Sequence, residues 1–320
     1  MSAPASPAHR PVMVGACLEL LRPRPGAWFI DGTFGAGGHS QALLEAGANV
    51  LGIDSDPQAR GHADALAATS SPAGPPVSPA GDRATGNYSP GRGAFRFAEG
   101  NFRDMERLAR SVELSSAAGV LLDLGVSSMQ LDEGERGFAF RHDGPLDMRM
   151  TGSGARKSAA DIVNGASFEE LAALLWRYGE DRYSRRIARR IVDARAERPI
   201  LTTGRLAEVV ASAYPAGPRR QHPARRTFQA LRIEVNDELG ALQEGLEAAA
   251  RLLSPGGRIV VISYHSLEDR IVKRFFIDSP RLEALTKKPL VADPTEVEAN
   301  PRARAAKLRA AERTSEGTGA

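Results

Sequence analysis

The stretch DGTFGAGGHS, residues 31–40, has Gly or Ala at five of its ten positions and follows the apolar run AWFI at 27–30. A glycine-rich turn after a strand lets backbone approach a bound group closely. A triphosphate cradle needs Gly-x4-Gly-Lys-Ser/Thr, because the lysine neutralises the outer phosphates. Gly32 and Gly37 have the spacing, but Gly38 and His39 follow, so the anchoring cation is missing. The dinucleotide pattern Gly-x-Gly-x-x-Gly is met by Gly35 and Gly37, with Ser40 in third place, a weak match. The first run ends in Asp31, whose carboxylate would repel a pyrophosphate and attract a cation. Asp54 closes the next apolar run, NVLGID at 49–54, where a ribose-binding acid belongs. A ligand with an adenosine, positive charge and no phosphate fits best. S-adenosylmethionine is such a ligand. A dinucleotide stays open as the alternative, and so does a turn or cap role for Asp31.

These residues need a frame. AWFI reads as a buried strand, SQALLEAG (40–47) as a helix stopped by Gly47, NVLGID as a second strand and PQARGHADALA (57–67) as a second helix. Strand, loop, helix, strand, helix is the pattern of a doubly wound, mostly parallel sheet of the Rossmann-like α/β class. Further strands are expected at 94–102, at 117–128 with Asp123 inside it, and at 253–266 after the turn SPGG. About 130 residues separate Asp123 from that last strand. A parallel crossover needs far fewer, so an inserted domain is expected. Residues 158–199 read as helical throughout, with Leu171, Leu174, Leu175 and Trp176 as core, and 203–214 as another helix. Residues 226–253 read as one long helix returning to the sheet. The expected organisation is a discontinuous sheet domain, 1–132 and 224–320, around a small all-α insert at 133–223. Residues 69–94, rich in Pro, Gly and Ser, are expected to be a disordered loop without catalytic role.

Composition sets outer bounds. Apolar residues make up 42% of 320, enough for a sizeable core. Cys17 is the only cysteine, which excludes an internal disulfide and fits a reducing compartment. The start, MSAPASPAHRPV, lacks a basic segment followed by an apolar one, and no run reaches membrane-spanning length, so a cytoplasmic protein is expected. No cluster with metal-ligand spacing stands out, and no metal is expected.

Six long motifs resemble one family. They are DGTFGAGGHS, GIDSDPQA (52–59), LLDLGVSSMQLDEGERGFAFRHDGPLDMRM (121–150), YGEDRYSRRIARRIV (178–192), HPARRTFQALRIEVNDEL (222–239) and ISYHSLEDRIVKRFF (262–276). Together they resemble the MraW/RsmH family, and the resemblance runs from HRPVMV (9–14) to NPRARAAKLRAAER (300–313). It implies a class I S-adenosylmethionine-dependent methyltransferase that modifies the exocyclic N4 of a cytidine in the decoding region of 16S ribosomal RNA. Carried over by position, it implies cofactor contacts from Gly37, Gly38, His39, Asp54, Phe102, Asp123 and Gln130. Without the family, Phe102 would read as core, Gln130 as surface and His39 as a helix-start residue. Four positions depart from the family's usual residues: Ala36 and Ser55 where Arg is commoner, Met129 where Pro is, and Tyr264 where Phe is.

The implied reaction sets requirements. The N4 lone pair of cytosine is delocalised into the ring, so a site must orient it and accept its proton. Asp123 and His265, in the segment YHS (264–266), are the candidate residues. Between Arg177 and Arg232 stand fourteen arginines and five acids. Arg185 with Arg189, and Arg186 with Arg190, repeat four residues apart, as on one helical face. A ribosomal RNA footprint within the small subunit is the sharper reading, and a solvated face with internal ion pairs the plainer one. PRARAAKLR (301–309) is a second basic candidate. A DNA amino methyltransferase, a non-enzymatic RNA-binding factor and a dehydrogenase remain the competing classes.

Overall fold

The computed structural model describes residues 10–70, 93–127, 130, 133–151, 156–218 and 221–315. Most of the segment expected to be disordered, 69–94, therefore lies outside the described residues. The chain divides into two compact units, Met1–Gly125 with Ala241–Ala320, and Val126–Gly240.

The first unit is built on a seven-stranded sheet. Its strands are β1 (Trp28–Asp31), β2 (Asn49–Asp54), β3 (Phe95–Glu99), β4 (Ala117–Asp123), β5 (Leu253–Ser263), β6 (Leu282–Ala284) and β7 (Lys307–Arg313). They lie in the order β3-β2-β1-β4-β5-β7-β6. The first five neighbours pair in parallel, and β7 pairs antiparallel with both β5 and β6. Strand side chains alternate between faces. Consecutive residues accordingly enter separate cores: Ile30, Leu51, Ile53, Val120 and Leu122 on one side, Phe29, Val50 and Leu121 on the other. This explains why these strands read as unbroken apolar runs. The chain order reverses at β1, between β2 and β4, and the carboxyl ends of the strands at such a point form the usual ligand crevice.

Helices α1 (Val14–Leu21), α2 (Gly38–Glu45), α3 (Ala59–Ala68) and α4 (Met105–Ser111) belong to this unit. Within the basic segment 301–309, Arg302 and Arg304 are exposed, but Arg309 of β7 is buried in an ion pair with Asp269, its Nε 2.6 Å from Oδ1.

The second unit is helical and wider than the expected 133–223. It holds α5 (Ala159–Gly165), α6 (Phe168–Gly179), α7 (Ser184–Glu197), α8 (Thr203–Ser212) and α9 (Ala224–Asn236). Its core gathers Leu171, Leu174 and Leu175 of α6, Ile187 of α7, and Phe228 and Leu231 of α9. Residues 158–199 are thus three helices. Ser158 and Ser167 each form a capping box with the acid three residues on, Asp161 and Glu170, which starts α5 and α6 separately. Trp176 is not core as expected but 62% exposed, because one residue past Leu175 turns it off the apolar face. Nor is 226–253 one helix. Asp237, at φ 49°, ends α9, and α10 (Glu238–Leu252) starts anew. Asp tolerates this left-handed conformation better than most residues, and α9 stays in the helical unit.

Candidate functional site

The glycine turn is held at four points. The Gly32 amide donates to the Leu121 carbonyl at 2.9 Å and the Phe34 amide to the Ile53 carbonyl at 3.0 Å. The Gly35 amide donates to Asp54 Oδ2 at 2.7 Å. The Gly37 amide turns back to the Phe34 carbonyl at 2.8 Å, with Gly35 and Gly37 at φ 53° and 79°. A side chain at Gly37 would strike the Phe34 ring at 2.7 Å, and one at Gly38 would strike Pro11 at 2.8 Å. The turn then runs into α2, whose amino end faces the crevice.

Asp31 does not face that crevice. It is 1% exposed, its Oδ2 accepts the Ser40 hydroxyl at 2.7 Å, and its Oδ1 accepts the Thr33 amide at 3.3 Å. Burial pushes its carboxyl above the usual range. Asp31 therefore organises the loop from within, the turn role left open by the sequence, and the expected repulsion of pyrophosphate passes to two other acids.

Those acids end β2 and β4. Asp54 accepts the Asp56 amide at 2.8 Å on Oδ1 in addition to Gly35 on Oδ2. Burial pushes its carboxyl up to about 6. Asp123 accepts the Tyr264 hydroxyl at 2.7 Å on Oδ1, and its amide donates to Thr33 Oγ1 at 2.7 Å. Burial likewise raises Asp123 to about 6, opposed by His39 and by the Tyr264 hydrogen bond. His39 is buried, with Nε2 2.9 Å from the Val12 carbonyl. A carbonyl only accepts, so Nε2 carries the proton. Nδ1 then faces Asp123 Oδ2 at 3.8 Å.

The structure thus brings Gly37, Gly38, His39, Asp54 and Asp123 together at the carboxyl ends of β1, β2 and β4. Phe102 follows β3, in a short 3₁₀ turn capped by Asn101. Its Cβ lies under Gly32, while its ring packs on α10 at Gly245. Gln130 belongs to the helical unit, where it is buried and takes the Ser127 amide at 3.0 Å. His265 is the N-cap of α11 (Ser266–Asp278). Its Nδ1 accepts the Glu268 amide at 3.4 Å, and its Nε2 lies 3.2 Å from Glu268 Oε1. Two roles are not legible in the sequence: that of Thr33, which holds the Asp123 amide, and that of Ser40, which holds Asp31. Both are small hydroxyl residues, and no spacing rule marks a hydroxyl for either contact.

The donor set decides what can bind. The side-chain groups grouped at the turn are two carboxylates and an imidazole lone pair. No lysine or arginine stands within 31–40. Such a crevice suits a ligand with hydroxyls and positive charge, and its two carboxylates would repel a pyrophosphate. S-adenosylmethionine meets that description.

The helical unit has a different surface. Arg182, Arg185, Arg186, Arg189, Arg190 and Arg225 are exposed. The guanidinium carbons of Arg185 and Arg189 lie 5.0 and 4.6 Å from the centre of the Phe168 ring. Beside them is an open cleft of about 590 Å³, lined among others by Arg182, Arg225, Arg226 and His222. Tyr183 and Tyr214 pack edge to face at 4.9 Å in its wall, and the Tyr214 hydroxyl donates to buried Asp181.

A family model described as the MraW methylase family matches residues 6–71 and 78–314. The chain belongs to the MraW methylase family. A Deinococcus deserti protein named ribosomal RNA small subunit methyltransferase H is 52% identical over 305 residues, covering 95% of this chain and 93% of that one. The protein of the same name from Deinococcus radiodurans is 51% identical, covering 98% and 92%. One from Afipia carboxidovorans is 46% identical with the same coverage, 98% and 92%. The match reaches into both units and covers the turn, Asp54, Asp123 and the arginine-bearing helices.

Proposed function

We propose that this protein transfers a methyl group from S-adenosylmethionine to the exocyclic N4 of a cytidine in the decoding region of 16S ribosomal RNA, within the small ribosomal subunit and in the cytoplasm. Membership of the MraW methylase family, at about half identity to relatives named for the small-subunit RNA, carries the reading. The crevice lined by Asp54, Asp123 and His39 supports it.

Bound there, S-adenosylmethionine would supply an electrophilic methyl group on a sulfonium. Gly37 and Gly38 give it close backbone approach. Asp54 has lone pairs beyond those taken by Gly35 and Asp56, and these accept ribose hydroxyls. His39 Nδ1 and Asp123 Oδ2 accept from a positively charged donor. Phe102 and Gln130 are assigned to the rest of the pocket by family position.

The target nitrogen gains a carbon and sheds a proton. An acceptor beside it aligns the lone pair and takes that proton. Asp123 is the candidate, since a carboxyl near 6 is mostly ionised at neutral pH and still basic enough to help. His265 is placed less well. With Nδ1 accepting the Glu268 amide, its neutral ring has no second lone pair to offer.

The target base must leave its stack to reach the pocket. The exposed arginines of α7 and the cleft beside it are assigned to the surrounding RNA, because guanidinium groups both bind phosphate and stack on bases. The test is transfer of labelled methyl from S-adenosylmethionine to small ribosomal subunits, free 16S RNA and duplex DNA. Label recovered as N4-methylcytidine from ribosomal RNA supports the reading. Label in DNA, or none while the cofactor binds, contradicts it.

A further inference from the structure

The Tyr264 hydroxyl has no part in the scheme above, yet it takes up half of the Asp123 carboxylate. Tyr264 is the first residue past β5, beside β4 in a parallel register that pairs Asp123 with Ile262. Its backbone is fixed by its amide, which donates to Glu268 Oε2 at 2.8 Å, and Glu268 is itself buried. Its ring passes over Gly125, at an ordinary contact distance from where a Cβ would stand. From there the hydroxyl donates to Asp123 Oδ1 at 2.7 Å.

A phenolic hydroxyl has one proton to give. Spent on Oδ1, it leaves Oδ2 pointing toward His39 Nδ1, 3.8 Å away. With Nε2 protonated against the Val12 carbonyl, neutral His39 also presents a lone pair. Two acceptors facing each other suit a single donor placed between them. Without the hydroxyl the carboxylate has little to stop rotation, since that torsion is broad and two-fold.

We propose that Tyr264 is a positioning residue for methyl transfer: its hydroxyl locks Asp123 so that Oδ2, with His39 Nδ1, forms a two-point acceptor for the cationic donor of the cofactor. This rests on the assignment of Asp123 to the cofactor site.

Electrostatics points the same way. The groups facing Asp123 are His39 from α2, Asp31 from β1, Glu268 from α11 and Tyr264 itself. Cys17 of α1 faces it too, as a buried thiol pushed well above its usual range. Asp31 and Glu268 work against ionisation of Asp123, while the Tyr264 hydroxyl favours it. Hydrogen bonding to the charged form is what favours it. His39 would add support only as an imidazolium, and as the neutral ring described above it leaves the hydroxyl as the support. Removing the hydroxyl takes that support away.

The test compares the full-length protein with Tyr264→Phe and Asp123→Asn. The ¹³C resonance of the Asp123 carboxyl, assigned by its loss in Asp123→Asn, is followed against pH. Affinity for S-adenosylmethionine is measured by calorimetry at pH 6 and pH 8. The proposal expects the Asp123 titration in Tyr264→Phe to move up by about one pH unit, and cofactor affinity to fall about fivefold more at pH 6 than at pH 8. A merely structural tyrosine would lower both affinities alike. An unmoved titration, or an equal loss at both pH values, overturns the proposal even if Asp123→Asn abolishes binding. Undiminished binding by Asp123→Asn removes the assignment beneath it, and the proposal with it. If Tyr264→Phe folds poorly, incorporation of 3-fluorotyrosine into the otherwise unchanged chain replaces it. A stronger donor must then move the titration down, and no movement overturns the proposal.

Discussion

Asp54 Oδ2 accepts the Gly35 amide at 2.7 Å, joining the end of β2 to a turn nineteen residues earlier in the chain. The bond ties the acid of one strand to the glycine loop of its neighbour.

The pH dependence follows first. Asp54 and Asp123 stand at about 6, above the ordinary 3.8, because both are buried. Ligand donors need the ionised forms, so affinity for S-adenosylmethionine should climb as pH rises through 6 and level off near neutrality. Below 6 each group costs up to about tenfold per pH unit. Stability of the ligand-free protein runs the other way. The native state holds these protons more tightly than the unfolded chain does. The contribution is present below about 4 and lost as pH rises through about 6. Calorimetry and thermal melts between pH 4 and 8 read both slopes, and parallel slopes would contradict the assignment.

Glycine substitutions should separate a needed glycine from an incidental one. Gly37→Ala places a methyl 2.7 Å from the Phe34 ring at φ 79°. It should cost about 1–3 kcal/mol and weaken cofactor binding. Gly61→Ala, within α3, meets nothing within 4 Å. It should stabilise by about 0.5–1 kcal/mol and leave binding alone. Paired denaturant curves and binding isotherms decide.

His265 offers a contrast between capping and chemistry. Its ring caps α11 in a box with Glu268. His265→Asn keeps a good cap and should retain the single-turnover rate. His265→Ala should lose about 1 kcal/mol of stability, with a rate change no larger than cofactor occupancy explains. A large rate loss in the asparagine variant would return His265 to the chemistry.

The arginines of α7 predict a salt signature. Binding to ribosomal RNA should weaken linearly in log affinity against log salt. Arg186→Ala and Arg190→Ala should each flatten that slope by about one. A slope near zero in the parent protein would leave these side chains as a solvated face.

Much of the site was legible because its local signals agree. An apolar run, glycines and a second run ending in Asp54 admit few folds, and β2 spans the expected residues, Asn49–Asp54. The pattern could not tell which carboxylate faces the ligand. Asp31 and Asp54 end neighbouring strands alike, and the Thr33 amide and the Ser40 hydroxyl, nine residues on, turn Asp31 inward. The C-terminal strand was hidden for a similar reason. Arg309 reads as surface charge until its partner Asp269, forty residues away, is beside it. The break at Asp237 rests on one left-handed residue between two helical patterns, and continuity of the apolar periodicity concealed it.

The most direct measurement is mass spectrometry of 16S ribosomal RNA from cells with and without this protein. One decoding-region cytidine is expected to carry an N4-methyl group only when the protein is present, and to lose it when Asp123→Asn replaces the parent. An unchanged methylation pattern in its absence, or a lost methyl on another base or atom, would contradict it.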